Sequence, residues 1–406
     1  MSTHETACCI VGGGPAGTML ALLLARQDVP VTLLESHLNF DRDFRGDTLH
    51  PSVMEILDSI GLADRLLSRR HAKIDRLSIQ TPEESLPLID LRRLRTPYPY
   101  ITLIPQADFL DFITTEAKRY PHFQLRMGAN VQELVKKNGS VQGVRYRTTN
   151  GDWHEVHAQL TIGADGRFSR LRRLAGLEPQ TSKPPMDILW FRLPRQPDDP
   201  LDAGATLRIG PGHLLVLQNR HTYWQIGYAI LKGSYNRVRA AGLESLQRSV
   251  GELVPWAHDR VGYLSTWQDI AVLSVGADRL SQWYQAGLLL IGDAAHVMSP
   301  VGGIGINYAI HDAVVAANIL ARPLRRHTVQ EHHLADIQRR REWPTRVIQA
   351  FQDQIQQRLV APALRGSASS RLSLAIRLVP RIPLLRTFPA HMIAFGPKRV
   401  RVEART

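Results

Sequence analysis

The apolar positions of the first forty residues follow the order of a strand, a glycine turn, a helix and a second strand. Residues 7–11 and 31–34 are short apolar runs typical of buried parallel strands. Residues 16–27 are apolar on nearly all sides, which predicts a helix packed against a sheet. Glu35 stands at the end of the second run. The pattern predicts the opening unit of an α/β fold.

Five turn residues are candidates for binding a ligand: Gly12, Gly14, Pro15, Ala16 and Gly17. Gly12 permits a sharp turn, Gly14 lets the backbone approach a pyrophosphate, and Gly17 lets helix and strand pack closely. The phosphates would meet a helix N-terminus, where free N–H groups favour negative charge. Glu35 is placed to accept hydrogen bonds from an adenosine ribose. This motif predicts a dinucleotide site and does not distinguish FAD from NAD.

Two segments show a different pattern, the alternation of apolar and polar residues that is typical of antiparallel strands. They are residues 75–90 and 183–274. We predict that they form a sheet that covers the dinucleotide site. Four of their residues are candidate substrate contacts, with burial in the core of the sheet as the alternative for each: Trp190, Arg192, Gln218 and Trp224. No residue is identified as a catalytic base.

Two later motifs each follow an apolar strand. The first contains Asp165-Gly166. The second contains Gly292-Asp293 and then, in order, Pro300, Gly302, Gly303, Gly305, Ile306, Asn307 and Asp312. With the glycine turn, these motifs resemble the three signatures of FAD-dependent aromatic hydroxylases of the p-hydroxybenzoate hydroxylase type. The resemblance covers about residues 7–318. It departs from many relatives at Ile304, where they carry a polar residue.

The resemblance implies a cofactor role for particular residues. Gly12, Gly14 and Gly17 would hold the pyrophosphate and Glu35 the ribose. Arg45 would lie beside the phosphates, and Gln106 and Asp293 would contact the ribityl chain. Asp165 would support the binding of both FAD and nicotinamide. Pro300 would lie near the reactive side of the flavin, and the backbone of Gly305, Ile306 and Asn307 would face its pyrimidine edge. Without the family context, Arg45 reads as a surface charge, Gln106 as the start of a helix and Asp293 as a helix cap.

The resemblance also implies a fold and a reaction. The fold would be α/β, a Rossmann-like FAD-binding domain with an inserted antiparallel substrate sheet and a C-terminal helical segment. The reaction would be hydroxylation of a phenol, quinolone or polyketide-like aromatic with NADPH or NADH and O2, through a flavin C4a-hydroperoxide. Two alternatives remain: a flavin-dependent reductase or dehydrogenase of a prenyl or polycyclic substrate, and a flavoprotein that sequesters an aromatic ligand without turnover.

Other ligands have little support in the sequence. It has no second glycine motif, so a nicotinamide would dock transiently. His332-His333 stands apart from any metal-ligand spacing, and we predict no metal site. Trp224 lacks the second tryptophan and the proline of the motif of flavin-dependent halogenases.

The predicted domains are discontinuous. Residues 1–74, 91–182 and 275–330 form the FAD-binding domain, and residues 75–90 and 183–274 form the substrate domain. Residues 331–406 form a basic helical region, which Pro344 should break or kink.

The positive charge is concentrated near the C-terminus. Of the net charge of +13, twelve lie in residues 321–406. Two interpretations of this region are open. It would contact a membrane surface, or its arginine stems would cover the neighbouring domain while their charged heads face water. No nucleic-acid motif accompanies the charge. Cys8 and Cys9 are adjacent in a strand and point to opposite faces, which predicts reduced thiols. Because the first predicted strand begins by Ala7, we expect no signal peptide before it, and the expected location is cytoplasmic.

Overall fold

The computed structural model describes residues 2–41, 47–81, 84–182, 184–200, 204–210, 212–366 and 387–403. The predicted phosphate contact Arg45 lies outside the described residues. The strands, in chain order, are β1 (Ser2–Val11), β2 (Val31–Glu35), β3 (Thr48–Leu49), β4 (Ala72–Ile74), β5 (Arg76–Gln80), β6 (Ser85–Asp90), β7 (Ile101–Leu103), β8 (Phe123–Met127), β9 (Asn130–Lys137), β10 (Ser140–Arg147), β11 (Trp153–Gly163), β12 (Pro179–Ser182), β13 (Met186–Pro194), β14 (Gly204–Gly210), β15 (His213–Asn219), β16 (Tyr223–Leu231), β17 (Ala271–Leu273), β18 (Ala277–Leu280), β19 (Tyr284–Gln285), β20 (Leu288–Leu290) and β21 (His296–Val297). The α-helices are α1 (Pro15–Ala25), α2 (Pro51–Ser59), α3 (Ala63–Leu67), α4 (Gln106–Ala117), α5 (Arg170–Leu174), α6 (Tyr235–Ala240), α7 (Leu243–Leu253), α8 (Gly305–Arg325), α9 (Glu331–Ile355), α10 (Ala361–Leu364) and α11 (Phe388–Phe395).

An eight-stranded sheet forms the centre of the fold. Its parallel strands lie in the order β20-β11-β1-β2-β8, and β19 and the β9–β10 hairpin pair with it in antiparallel fashion. The helices α1, α4 and α8 pack together beside this sheet. Cys8 and Cys9 are buried free thiols in β1, and burial raises the pKa of Cys9 to about 12. The parallel strands and the helix after β1 agree with the α/β fold predicted from the apolar runs.

A second, seven-stranded sheet joins two parts of the chain that are distant in sequence. Its order is β17-β13-β16-β15-β14-β5-β6. β5 and β6 come from the first predicted substrate segment, and β5 pairs in parallel with β14 of the second. Residues of the outer face, among them Leu189, Phe191 and Leu217, pack in a separate core with α7. Part of the inner face packs against α10, and the rest lines a cavity.

The helix α8 is the long core helix of the molecule. The segment Val301–Arg325 is long and apolar enough to cross a membrane, but 78% of its most apolar window is buried inside the protein. α8 lies against α1 on one side and α9 on the other. The burial of this segment accounts for its apolar composition, because a helix enclosed on several sides needs no polar face.

The structure contradicts the predicted break at Pro344. α9 runs from Glu331 to Ile355 without interruption, a π-helical turn follows at Gln356–Val360, and α10 continues from there. The backbone carbonyl of Pro344 accepts a hydrogen bond from the Tyr308 hydroxyl of α8 at 3.4 Å. Thr345 and Ile348 are fully buried beside it. Packing against α8 therefore outweighs the local cost of the proline.

The described end of the chain packs on the body of the protein. The carbonyl of Ile393 in α11 accepts a hydrogen bond from His50 Nδ1 at 2.7 Å. Arg399 pairs with Glu55 at 3.3 Å, and its guanidinium lies 3.6 Å from the centre of the Phe395 ring. In this part of the C-terminal region the guanidinium group of Arg399 makes the contacts, and the predicted packing of arginine stems stays a prediction. Residues 367–386, to which the predicted membrane contact also applied, lie outside the described residues.

Candidate active site

A cavity of about 1380 Å³ extends from the carboxyl ends of β1 and β2 to the inner face of the second sheet. Two helix N-termini open into it. Gly14, Pro15 and Ala16 line it at the start of α1, and Gly305 and Ile306 line it at the start of α8. Each N-terminus carries free N–H groups and a partial positive charge, so each favours an anion or an electronegative edge. The cavity is long enough to bring both helices to one elongated ligand.

The glycines of the first turn divide into two kinds. A Cβ atom on Gly12 would lie 2.3 Å from the carbonyl oxygen of Ala164, and one on Gly17 would lie 2.0 Å from that of Gly12. Gly12 also has a φ of +107°. These two glycines are required by the fold itself. A Cβ on Gly14 meets no atom of the described residues within 4 Å, chain neighbours aside, so the space beside Gly14 is open to a ligand as far as the structure describes it.

Glu35 is held rigidly at the end of β2. Its side chain is 2% exposed and lines the cavity. Its carboxylate accepts hydrogen bonds from the N–H groups of Gly13 at 2.7 Å and His37 at 2.9 Å, and His37 Nδ1 lies 2.7 Å away. Ser36 Oγ also donates to this carboxylate, at 3.2 Å, and together these bonds fix its position on the cavity wall. The contact of Glu35 with a ribose stays a prediction.

Three other predicted polar contacts line the cavity, namely Gln106, Asp165 and Asp293. Gln106 is the first residue of α4. Asp165 has a structural role as well, because its carboxylate accepts from Ser169 Oγ at 2.5 Å and from the backbone N–H groups of Arg170 at 2.7 Å and Leu171 at 3.0 Å. Burial raises the pKa of Asp165 against these hydrogen bonds. Asp165 thus caps α5 and shapes the loop at the cavity mouth.

The loop before α8 brings further predicted residues to the cavity: Pro300, Gly302, Gly303, Gly305 and Ile306. Gly302 and Gly303 have φ values of +79° and +63°. The carbonyl of Gly303 accepts a hydrogen bond from Thr48 Oγ1 at 2.8 Å. A Cβ atom on Gly303 would lie only 2.5 Å from Thr48 Oγ1. The backbone of this loop therefore needs glycine and approaches the cavity closely.

Asn307 does not line the cavity, in contrast to its predicted place at the ligand. Its backbone N–H already donates to Ile304 at 3.0 Å. Its side-chain amide donates to the carbonyls of Thr48 and Gly303 at 3.1 Å and accepts from the N–H of His50 at 2.8 Å. Asn307 holds two loops together and acts on the cavity only through them.

A buried charge network that the predicted site did not include lies behind Gly292. Asp312 is fully buried and accepts from the Gly292 N–H at 2.9 Å, His296 Nε2 at 2.6 Å and Arg341 Nε at 2.7 Å. Burial raises the pKa of Asp312, but the Coulombic attraction of His296 and Arg341 and their hydrogen bonds lower it to about 2. Gly292 itself does not line the cavity. The acidic residue inside an apolar helix was the only sequence signal for this network.

The inner face of the second sheet forms the far wall of the cavity. Trp190 and Gln218 line it, as predicted, and Gln225 lines it without having been predicted. Arg192 shares the face of Trp190 but is exposed, with its guanidinium 4.9 Å from the centre of the Tyr223 ring, and it does not line the cavity. Its strand position is opposite the cavity-lining Gln225, but its side chain is directed to Tyr223.

The structure contradicts the prediction that Trp224 contacts the substrate. Its side chain is buried on the outer face, where Nε1 donates to Asp199 at 2.7 Å and the ring packs against Trp256 at 5.1 Å. Successive residues of a strand point to opposite faces. The neighbour Gln225 therefore faces the cavity in its place.

Gly227 makes room for the indole of Trp190 on the cavity wall. The two residues are opposite each other in the β13–β16 ladder, and a Cβ on Gly227 would lie 2.8 Å from Trp190 Cη2 and 2.9 Å from Val216 Cγ1. We expect Gly227→Ala to push the indole into the cavity and to raise the KM for the aromatic substrate about tenfold, since overpacking costs roughly 1–3 kcal/mol. Steady-state kinetics and tryptophan fluorescence measure this.

Gly262→Ala is the matched control, because its Cβ position has no atom of the described part of the chain within 4 Å, chain neighbours aside. It should leave the KM and the fluorescence spectrum unchanged. An unchanged KM in Gly227→Ala would show that the indole does not limit the space for substrate.

The fold and the cavity define a flavoprotein oxidoreductase, in which a Rossmann-like domain is combined with a sheet over the reacting end of the cofactor site. The family described as the FAD binding domain matches residues 5–351. The chain is 33% identical to 6-methylpretetramide 4-monooxygenase of Streptomyces rimosus over 98% of this chain and 94% of that protein. It is 26% identical to pentachlorophenol 4-monooxygenase of Sphingobium chlorophenolicum over 76% of this chain and 57% of that one.

A solved structure shows the same fold. The probable FAD-dependent monooxygenase PqsL of Pseudomonas aeruginosa has a TM-score of 0.75 and 20% identity and covers 90% of this chain and 99% of its own. The chain belongs to the FAD-binding family, and it is an FAD-dependent aromatic monooxygenase. The predicted family, fold class, cofactor FAD and enzyme class are confirmed by these matches.

Proposed function

We propose that this enzyme hydroxylates a polycyclic aromatic substrate of the polyketide type, with NADPH or NADH as reductant and O2 as the source of oxygen. The observation that carries the proposal is the apolar compartment under the second sheet, which is continuous with the cofactor end of the cavity. Its sheet side is formed largely by aliphatic residues, among them Ile188, Leu207, Leu214 and Val216. A fused-ring substrate can bury its faces against such a wall.

The most similar relative named above supports the same substrate class. Its printed name gives it 6-methylpretetramide as substrate, and its length is almost fully matched by this chain. The cavity of about 1380 Å³ has to hold both cofactor and substrate. Because pockets for drug-sized ligands alone occupy about 300–1,000 Å³, the cavity is large enough for a substrate of several rings.

The chain positions reactants and excludes water, and bound FAD supplies the oxygen-transfer chemistry. The N–H groups of Gly305 and Ile306 at the start of α8 favour negative charge on the edge of a ring placed against them, by about 0.3–1 kcal/mol. The aliphatic inner face of the sheet lowers the local dielectric and keeps bulk water from the reacting atoms. Trp190 offers a flat surface against which an aromatic ring can stack.

The reductant would dock at the open end of the cavity. Phe168 is 79% exposed there, and the side chains of Arg167, Arg170 and Arg173 line the same region. An exposed aromatic ring beside several guanidinium groups suits a nicotinamide dinucleotide, which combines flat rings with phosphates. Because the sequence has no second glycine turn, this docking is transient.

The test is substrate-dependent oxygen incorporation. Purified holoenzyme is supplied with NADPH or NADH under labelled oxygen gas, with simple phenols, quinolones and hydroxylated polycyclic aromatics as trial substrates. We expect a polycyclic compound to stimulate NAD(P)H oxidation by about tenfold or more and to gain one labelled oxygen atom.

The other outcomes separate the alternatives. Stimulated NAD(P)H oxidation with a reduced product and no labelled oxygen would identify a reductase. A desaturated product formed without NAD(P)H, with O2 as the electron acceptor, would identify a dehydrogenase. Tight binding of an aromatic compound without any NAD(P)H oxidation would identify a sequestering flavoprotein. Labelled oxygen in a single-ring phenol, and not in the polycyclic compounds, would confirm the hydroxylase function and contradict only the proposed substrate class.

A further inference from the structure

Two glutamine side chains face each other across the wall of the cavity. Gln218 of β15 and Gln225 of β16 are directly opposite in the antiparallel ladder, where Cβ atoms are about 4.5–5.5 Å apart. Both line the cavity, and Gln225 is 3% exposed. The Oε1 atom of Gln218 is buried without a hydrogen-bond partner among the described residues. Although the two amides are neighbours, they leave hydrogen-bonding capacity unused.

The surrounding wall makes this pair distinctive. The next opposed pairs on the same face are Val216 with Gly227 and Leu214 with Ala229. None of these four has a polar side chain. A buried carbonyl without a partner costs about 1–3 kcal/mol, so a turn of the half-buried Gln218 amide that brings Oε1 to a ligand donor recovers this free energy. The amide pair therefore lies at the boundary between this apolar wall and the polar end of the same face, which carries Arg192 and Arg220.

The position of the pair links it to the cofactor end of the cavity. Arg220 follows Gln218 by two residues, and its guanidinium forms a buried ion pair with Asp47. Asp47 is followed by Thr48, which donates to the carbonyl of Gly303 in the loop before α8. The end of the sheet that carries the two amides is thus tied to the loop that approaches the cofactor.

We propose that Gln218 and Gln225 are the specificity-determining residues of this site and bind the substrate edge that carries neighbouring carbonyl and hydroxyl oxygens. Each amide offers one acceptor oxygen and two N–H donors and no charge. Such a pair matches a keto–hydroxyl edge, which itself presents acceptors and a donor. A carboxylate would instead call for a cation such as arginine. Asp47 already neutralises Arg220, and Arg192, opposite Gln225, has its guanidinium over the Tyr223 ring and does not line the cavity. The inference rests on the proposed function, since it treats the cavity as the site of a polycyclic substrate.

Binding to the oxidised holoenzyme, without reductant, tests the assignment. The probes are 1,8-dihydroxyanthraquinone, whose hydroxyls flank one carbonyl, and unsubstituted anthraquinone; quenching of flavin fluorescence gives Kd. We expect the wild type to prefer the dihydroxy compound by about tenfold or more. Gln218→Leu and Gln225→Leu should each lose about tenfold affinity for it, or ~1.4 kcal/mol, and should change the Kd of anthraquinone little.

Gln354→Leu is the control, because Gln354 also lines the cavity but lies on α9 and is exposed. It should retain the preference. Absence of a preference in the wild type, retention of it in both sheet variants, or tighter binding of 4-hydroxybenzoate than of either anthraquinone overturns the assignment. A flavin spectrum and melting temperature equal to those of the wild type show that each variant is folded and loaded.

Failure of the two proposals can be told apart. An enzyme that binds the dihydroxy probe through the amides but incorporates no labelled oxygen refutes the hydroxylase function and leaves the amide assignment in place. An enzyme that hydroxylates a polycyclic substrate while both leucine variants keep full discrimination refutes only the amide assignment.

Discussion

Replacing Gly14 by valine is expected to remove FAD binding while leaving the protein folded. Apart from its chain neighbours, no atom of the described residues lies within 4 Å of the Cβ position of Gly14, and its backbone is extended, with a φ of −78°. The added side chain would therefore occupy the space in which a pyrophosphate meets the N-terminus of α1. We expect the affinity for FAD to fall by about a hundredfold or more, which corresponds to ~2.7 kcal/mol. Titration of the apoprotein with FAD, followed by fluorescence, measures this loss.

Gly17→Val provides the contrast within the same turn. Its Cβ would lie 2.0 Å from the carbonyl oxygen of Gly12, so the substitution should lower the stability of the apoprotein itself. Urea unfolding of the two apoproteins separates the effects. Gly14→Val should unfold at the same urea concentration as the wild type, and Gly17→Val at a lower one. Normal FAD affinity in folded Gly14→Val would show that the cofactor does not approach the backbone at this turn.

Removing the charge of Asp312 is expected to cause the largest loss of stability. Asp312→Asn leaves Arg341 buried without its carboxylate partner and weakens the hydrogen bond to the Gly292 N–H. Breaking a buried ion pair in this way costs about 3–5 kcal/mol. Urea unfolding at neutral pH measures the change. Because Gly292 begins the turn that holds Asp293 at the cavity, we also expect weaker FAD binding.

The matched control is Asp336→Asn, whose carboxylate pairs with Arg339 and Arg340 on the surface of α9. Exposed pairs of this kind contribute less than about 1 kcal/mol. The double variant Asp312→Asn/Arg341→Met should be more stable than Asp312→Asn alone, since it no longer buries an uncompensated charge. Equal stability of the Asp312 and Asp336 variants would contradict the role assigned to the buried network.

The same network predicts a dependence on pH. The pKa of Asp312 in the folded protein is about 2, lower than the ordinary value of an aspartate. Its contribution to stability is therefore complete above the pKa of the unfolded chain, about 3.9. The contribution is lost as the pH falls through the folded pKa. Between about pH 4 and pH 2 the wild type should lose its stability advantage over Asp312→Asn, as measured by urea unfolding at each pH.

Residue spacing predicted the first strand, glycine turn and helix, and the family resemblance added the later loops that line the same cavity. The turn at Gly12–Gly17, the acid at Glu35 and the loop at Gly302 and Gly303 depend on backbone conformations that only glycine adopts easily or on positions at strand ends. Such requirements act over a few residues, so a short sequence pattern records them. The alternation of apolar and polar residues in β13, β15 and β16 likewise predicted a sheet with one face turned inward.

The sequence could not say which face was inward. Trp224 and Gln225 differ by one position in a strand, and the aromatic residue was the more obvious candidate for a substrate contact. Packing of α7 against the outer face buries Trp224, and Gln225 is left on the cavity side. Because successive side chains of a strand point to opposite faces, a wrong choice of the inward face places every residue of the strand on the wrong side of the sheet.

By itself, therefore, the sequence determined the α/β fold class, the FAD-binding turns and the membership of a flavoprotein monooxygenase family. The tertiary structure decided which side chains meet. Asp312 finds Arg341 on the next helix, Asn307 joins two loops, and α9 continues through Pro344 because α8 supports it. Backbone preferences are local and can be read from neighbouring residues, whereas a buried polar side chain is satisfied by groups that only the folded chain brings within reach.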